Sequence, residues 1–78
     1  MSVKERLIEK IAESLHISTE EINENSCFKE DLAADSIDMI EIVMSMESEY
    51  HIEVDTDKLF EIMTVGEAVQ ELEKLINA

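Results

Sequence analysis

The 78-residue chain contains no proline and only one glycine, Gly66. These are the residues that most often break helices and build tight turns, so their near absence favours long helical runs. The hydrophobic pattern agrees. Alternation at period two is essentially missing, and apolar residues recur at helical spacing throughout. Ser2 and Glu5 form a capping-box pattern ahead of Leu7, Ile8, Ile11 and Leu15, with Val3 at the start. This predicts a first helix over residues 3–15 with a single apolar stripe. Residues 16–35 read as a long connection pinned by Ile17, Ile22, Phe28 and Leu32. A loop of that length is usually functional or holds a short helical turn, for which Ser18 and Glu21 offer a cap. A second helix is expected over 36–50, and a short third over 56–61 presenting Leu59 and Phe60. Thr64 and Glu67 open a fourth, carrying Val65, Ala68, Val69, Leu72, Leu75 and Ile76. Gly66 falls in its first turn, where the helix penalty of glycine matters least. The expected fold is all-α: one domain over 1–78, a four-helix bundle with three long helices, a short third helix and a long loop between helices 1 and 2.

Twenty acidic residues against six basic ones give a net charge of −14. That balance lacks the basic footprint of nucleic-acid binding and disfavours anionic membrane surfaces. Basic protein partners are the natural counterpart, with electrostatic steering of the encounter. The N-terminus lacks a signal-like apolar region and no segment approaches membrane-spanning length, so a soluble, cytoplasmic monomer without membrane insertion is expected. The single cysteine, Cys27, has no disulfide partner and fits a small, partly buried hydrophobe in a reducing compartment.

The second helix carries two apolar faces. Met39, Ile42, Val43, Met46 and Tyr50 share one, sufficient for packing. Ile37, Ile40 and Met44 form a second stripe on nearly the opposite side, bordered by Glu41 and Glu47, with Asp38 and Glu49 further round. An apolar strip with an acidic rim has the composition of a docking face, although the same residues also fit packing beneath the long loop. Reversing charge at Asp38 and Glu41 is expected to weaken docking more than folding. Where the loop meets this helix stands Asp31-Leu32-Ala33-Ala34-Asp35-Ser36-Ile37-Asp38. Read as structure alone, Asp35 or Ser36 is an N-cap and Asp38 a first-turn acid. Ser36 lacks the setting of an enzymatic nucleophile: the only histidines, His16 and His51, are expected at solvent-facing helix ends. There is no glycine-rich phosphate loop. A calcium loop starting at Asp55 lacks the required glycine and terminal glutamate, so no metal site is expected.

The Ser36 stretch resembles the acyl carrier protein family, in which Asp-Ser-Leu-Asp surrounds the serine that receives 4′-phosphopantetheine. The resemblance spans essentially the whole chain. It includes Phe28 and Asp31-Leu32 before the serine, Ile40-Glu41-Ile42-Val43-Met44 after it, and Ile62-Met63-Thr64-Val65 leading into the last helix. It implies a non-catalytic carrier: 4′-phosphopantetheine covalently on Ser36, acyl intermediates held as thioesters, and fatty-acid biosynthesis as the pathway. It also implies a phosphopantetheinyl transferase and basic-surfaced acyl-processing enzymes as partners, met through Asp35, Ile37, Asp38, Ile40, Glu41, Met44 and Glu47. Polyketide or aminoacyl cargo on the same fold, and an unmodified acidic adaptor, are the alternatives. An acyl chain sheltered in the bundle would meet core residues such as Ile42, Met46, Leu59, Ile62 and Ala68.

Four positions depart from the family pattern. Ile37 stands for the usual leucine, and Ser48 interrupts a run of acids. Asp55 stands where proline is common, and Ala33 where glycine is common. If the last position requires positive φ, alanine is expected to force a different loop path.

Overall fold

The computed structural model describes residues 2–78. Helix α1 runs Val3–Leu15, a 3₁₀ turn Thr19–Glu21, α2 Ser36–Tyr50, α3 Thr56–Glu61 and α4 Val65–Ile76. The fold is the expected helical bundle with its long loop between the first two helices. Three capping boxes read from the sequence close as predicted: Ser2 with Glu5, Ser18 with Glu21, and Thr64 with Glu67. Each satisfies two otherwise orphaned N–H groups, which fixes where the element starts.

Helix α1 packs on α2 and α4, and α2 packs on α3. The centre holds Leu7 and Ile11 of α1, Met39, Ile42, Val43 and Met46 of α2, and Val65, Ala68, Val69 and Leu72 of α4. The long loop contributes Ile22, Phe28 and Ala34 to the same cluster. Of the two apolar side chains that α3 presents, Leu59 enters the core and Phe60 faces solvent. A helix of six residues has room for little more than one inward position.

The ends of α1 and α2 are built alike. His16 and His51 both adopt the left-handed conformation, with φ of 59° and 56°, at exposed helix ends. The following N–H groups, of Ile17 and Ile52, bond back to the carbonyls of Ala12 and Glu47 at 3.1 Å. This is the six-to-one closure that glycine usually permits at a helix C-terminus.

The long loop is tied to the start of α4. Val65 N–H donates to the Ser26 carbonyl (3.0 Å) and Gly66 N–H to that of Glu24 (2.9 Å). A Cβ at Gly66 would lie 3.1 Å from the Glu24 oxygen, so the loop backbone passes close against this first-turn glycine. Asp55, at the family's proline position, has φ −61°, a value proline also adopts, and its carboxylate accepts Asp57 N–H as the cap of α3.

Arg6 of α1 clasps Glu49 of α2 through two parallel bonds, with Nε donating to Oε2 at 2.7 Å, and also reaches Glu9. The bond from Arg6 holds the Glu49 carboxyl below the usual range, and the same bond holds the guanidinium above its own. A carboxylate with a depressed folded-state value contributes stability above its unfolded value, about 4.3, and loses it as pH falls through the folded one. Urea titrations at pH 7 and below pH 4 should therefore show the parent losing more stability on acidification than Arg6→Gln. Equal losses would count against this bridge as an acid-sensitive clasp.

Candidate functional site

The approach to Ser36 is fixed by main-chain bonds. Phe28 N–H donates to the Met63 carbonyl at 3.0 Å, and Ala34 N–H donates to the Phe28 carbonyl at 2.8 Å. The Asp31 carboxylate accepts Cys27 N–H at 2.7 Å, while the Cys27 carbonyl receives the N–H groups of Asp31 and Leu32. Burial, then the carboxylates of Asp31 and Glu30, push the Cys27 thiol above its usual pKa, which disfavours the thiolate.

Ala33 has φ 55°. The position thus takes the left-handed conformation, and alanine adopts it rather than diverting the loop, which corrects the expected change of path. The left-handed region costs a residue with Cβ roughly 1–2 kcal/mol, partly offset by the greater unfolded-state entropy of glycine. Ala33→Gly should accordingly stabilise the domain by about 0.5–1 kcal/mol, read as a rise of a few degrees in Tm. An unchanged or lower Tm would show that this loop carries no such strain.

Asp35 is the N-cap of α2, and Ser36 is its first residue. Asp35 Oδ1 accepts Asp38 N–H at 2.8 Å, and Asp38 Oδ2 accepts Asp35 N–H at 3.1 Å. The two carboxylates thus form a reciprocal cap built from aspartates. Between them Ser36 stands exposed, and neither carboxylate is bonded to its hydroxyl. The N–H groups of Ser36 and Ile37 lie in the first turn, where the helix supplies no acceptor.

The second apolar stripe is exposed. Ile37 is 66% accessible, Met44 59% and Ile40 37%, while the opposite face of α2 is buried. Packing beneath the long loop is therefore excluded for this strip. Its acidic rim divides in two. Glu41 is exposed at the surface. Glu47 is half-buried and accepts Val54 N–H at 2.8 Å, tying the end of α2 to the segment before α3. Asp35 and Asp38 are occupied by the cap, and Glu49 by Arg6. Charge reversal at Asp38 would remove half of a capping box, at a cost of about 0.5–2 kcal/mol. The double change at Asp38 and Glu41 therefore touches the cap as well as the rim, and Glu41→Lys alone is the clean probe of the rim.

Sequence reasoning missed the structural duties of Asp31 and Glu47. Asp31 had a signal, since it follows Cys27 by four residues. Glu47 had none, because its partner lies seven residues on across a turn. The interior beneath the strip is closed. Its apolar cavity, lined by Ile42, Ile62 and Ala68 among others, measures about 10 Å³, room for no more than a water. Met46 and Leu59 of the expected lining are buried elsewhere in the core.

A family model described as "Phosphopantetheine attachment site" matches residues 5–72. The chain belongs to the acyl carrier protein family. An acyl carrier protein of a Sulfurovum species is 39% identical over 75 residues, 96% of this chain and all of the relative. One from Nitratidesulfovibrio vulgaris (strain Miyazaki F) is 42% identical over 69 residues, 88% of this chain and 91% of the relative. The crystal structure of an acyl carrier protein from Thermotoga maritima superposes with a TM-score of 0.82 at 27% identity, covering 94% of this chain and 85% of that one. The chain is thus an acyl carrier with a phosphopantetheine attachment domain, and 4′-phosphopantetheine is its cofactor. An exposed serine hydroxyl at a helix N-terminus, clear of its neighbours' bonds, fits a bulky phosphodiester group. Among the described residues, no helix is long and apolar enough to cross a membrane.

Proposed function

We propose that Ser36 bears the 4′-phosphopantetheine arm and that the chain carries acyl intermediates of fatty-acid biosynthesis in the cytoplasm. The exposed Ser36 hydroxyl at the first position of α2 carries this reading. In loading, a phosphopantetheinyl transferase directs Ser36 Oγ onto the phosphorus bearing pantetheine in coenzyme A. The new bond is Oγ–P. The pyrophosphate P–O bond breaks, adenosine 3′,5′-bisphosphate leaves, and the hydroxyl proton passes to a base of the transferase.

The bound arm supplies a terminal thiol that holds acyl groups as thioesters. The unbonded first-turn N–H groups and the helix dipole favour the new phosphate. Asp35 and Asp38 oppose it by like-charge repulsion, but their mutual capping bonds give them a structural reason to be present. The exposed strip of Ile37, Ile40 and Met44 with Glu41 is the surface that basic-surfaced acyl-processing enzymes meet. Asp35, Asp38 and Glu47 contribute charge to it while holding α2 in place.

Profiling the thioester-bound groups on protein isolated from its source tests the pathway. Straight-chain acyl groups of graded length are expected. Aminoacyl or polyketide units would assign the carrier to another cargo, and unmodified protein in the presence of transferase would make it an adaptor.

A further inference from the structure

We infer that Ala34 is a positioning residue for loading, an inference resting on the role proposed above for Ser36. Its buried methyl group and its N–H bond to Phe28 hold the Ser36 hydroxyl in place while a transferase grips α2. Ser36 and Ile37 are both exposed, and the first buried side chain of α2 is Met39. On the helix side, no buried side chain follows Ser36 for almost a full turn. The Asp35–Asp38 cap does not supply the missing anchor. Its two bonds join residues on either side of Ser36, so they travel with that turn when it shifts.

The anchor lies before the serine. Ala34 is 3% exposed between the exposed residues Ala33 and Asp35, and it belongs to the core cluster. Its N–H donates to the Phe28 carbonyl at 2.8 Å, and Phe28, itself buried, donates its own N–H to the Met63 carbonyl. The loop just before Phe28 is tied to the start of α4 by the bonds from Val65 to Ser26 and from Gly66 to Glu24. Ser36 is thus bracketed by two buried points. Met39 holds it from the helix, and Ala34 holds it from a loop footed on α4.

Such bracketing matters because the phosphorus to be attacked is carried by another molecule. Docking on α2 sets where the helix sits. The freedom left to its first residue decides how often Oγ comes within about 3–3.5 Å of phosphorus. A misplacement of about 1 Å can cost on the order of 10²-fold in rate. Glycine at position 34 keeps the N–H but removes the methyl anchor and frees the backbone.

The test uses the full-length apo chain, coenzyme A and an excess of phosphopantetheinyl transferase, with single-turnover arm transfer followed by intact mass well below every variant's Tm. Ala34→Gly should slow transfer about fivefold or more and leave the Kd for the transferase within about twofold, which separates position from binding. Ala33→Gly frees the neighbouring residue but keeps the buried methyl, so it should transfer within about twofold of the parent rate. Val69→Ala is the stability control. It truncates a buried side chain of α4 and should lower Tm at least as far as Ala34→Gly while leaving the rate unchanged. A parental rate for Ala34→Gly overturns the inference. So does a slowing shared by Val69→Ala, which would reduce Ala34 to a stability role. Failure of the Ser36 assignment looks different: the parent itself gains no mass. The anchor is then judged by amide exchange at Asp38, whose N–H bonds to Asp35 across Ser36. Exchange there should quicken about fivefold or more in Ala34→Gly and not in Val69→Ala, and equal exchange in parent and Ala34→Gly overturns the inference.

Discussion

A Ser36→Ala chain incubated with coenzyme A and a phosphopantetheinyl transferase gains no mass, while the parent gains a single arm. Intact-mass spectrometry reads this as all or nothing, the largest effect expected of any substitution here. Several other hydroxyls are already engaged. Those of Ser2, Ser18 and Thr64 accept capping bonds. Ser26 is buried with its hydroxyl accepting Asn23 N–H, and Ser45 donates to the Glu41 carbonyl. Folding should be untouched, because Asp35 rather than Ser36 caps α2 and alanine is well suited to a first helical turn. Stability is expected within about 0.5 kcal/mol of the parent. Addition of a full arm to the alanine variant would refute the assignment of Ser36.

Truncating Ile11 to alanine should bring the domain close to unfolding. Ile11 is fully buried where α1 meets α2 and α4, and the fold has no disulfide to restrain the unfolded chain. Removing such a side chain costs about 2–5 kcal/mol. A domain of this size has roughly 4–12 kcal/mol in all. At about 4–8 °C per kcal/mol, a loss near 3 kcal/mol lowers Tm by roughly 12–24 °C. A fall of under about 5 °C in a circular-dichroism melt would mean that the core repacks around the gap.

Helix boundaries were legible because they are local. Each capping box pairs a side chain with a backbone group three residues away, so the pattern is complete within a short window of sequence. The exposed Ile37–Ile40–Met44 strip was legible for the same reason, since helical periodicity alone separates it from the packed face of α2. The site was read less completely. Asp38 and Glu47 looked like free acids on a docking rim. Asp38 closes a cap that the sequence left between Asp35 and Ser36, and Glu47 bonds across the turn into α3.

The sequence by itself determined four helices, their starts, the inward faces and a hydroxyl at the head of the second helix, because nearest-neighbour bonds and hydrophobic period need no knowledge of distant residues. Tertiary structure decided the rest. It turned Phe60 outward, put Ala33 at positive φ, set Gly66 against the Glu24 carbonyl and drew Met63 beside the segment that leads to Ser36. Those outcomes depend on how the long loop crosses the start of α4 and how much of a six-residue helix can face inward, and both are settled only when separate elements compete for the same core.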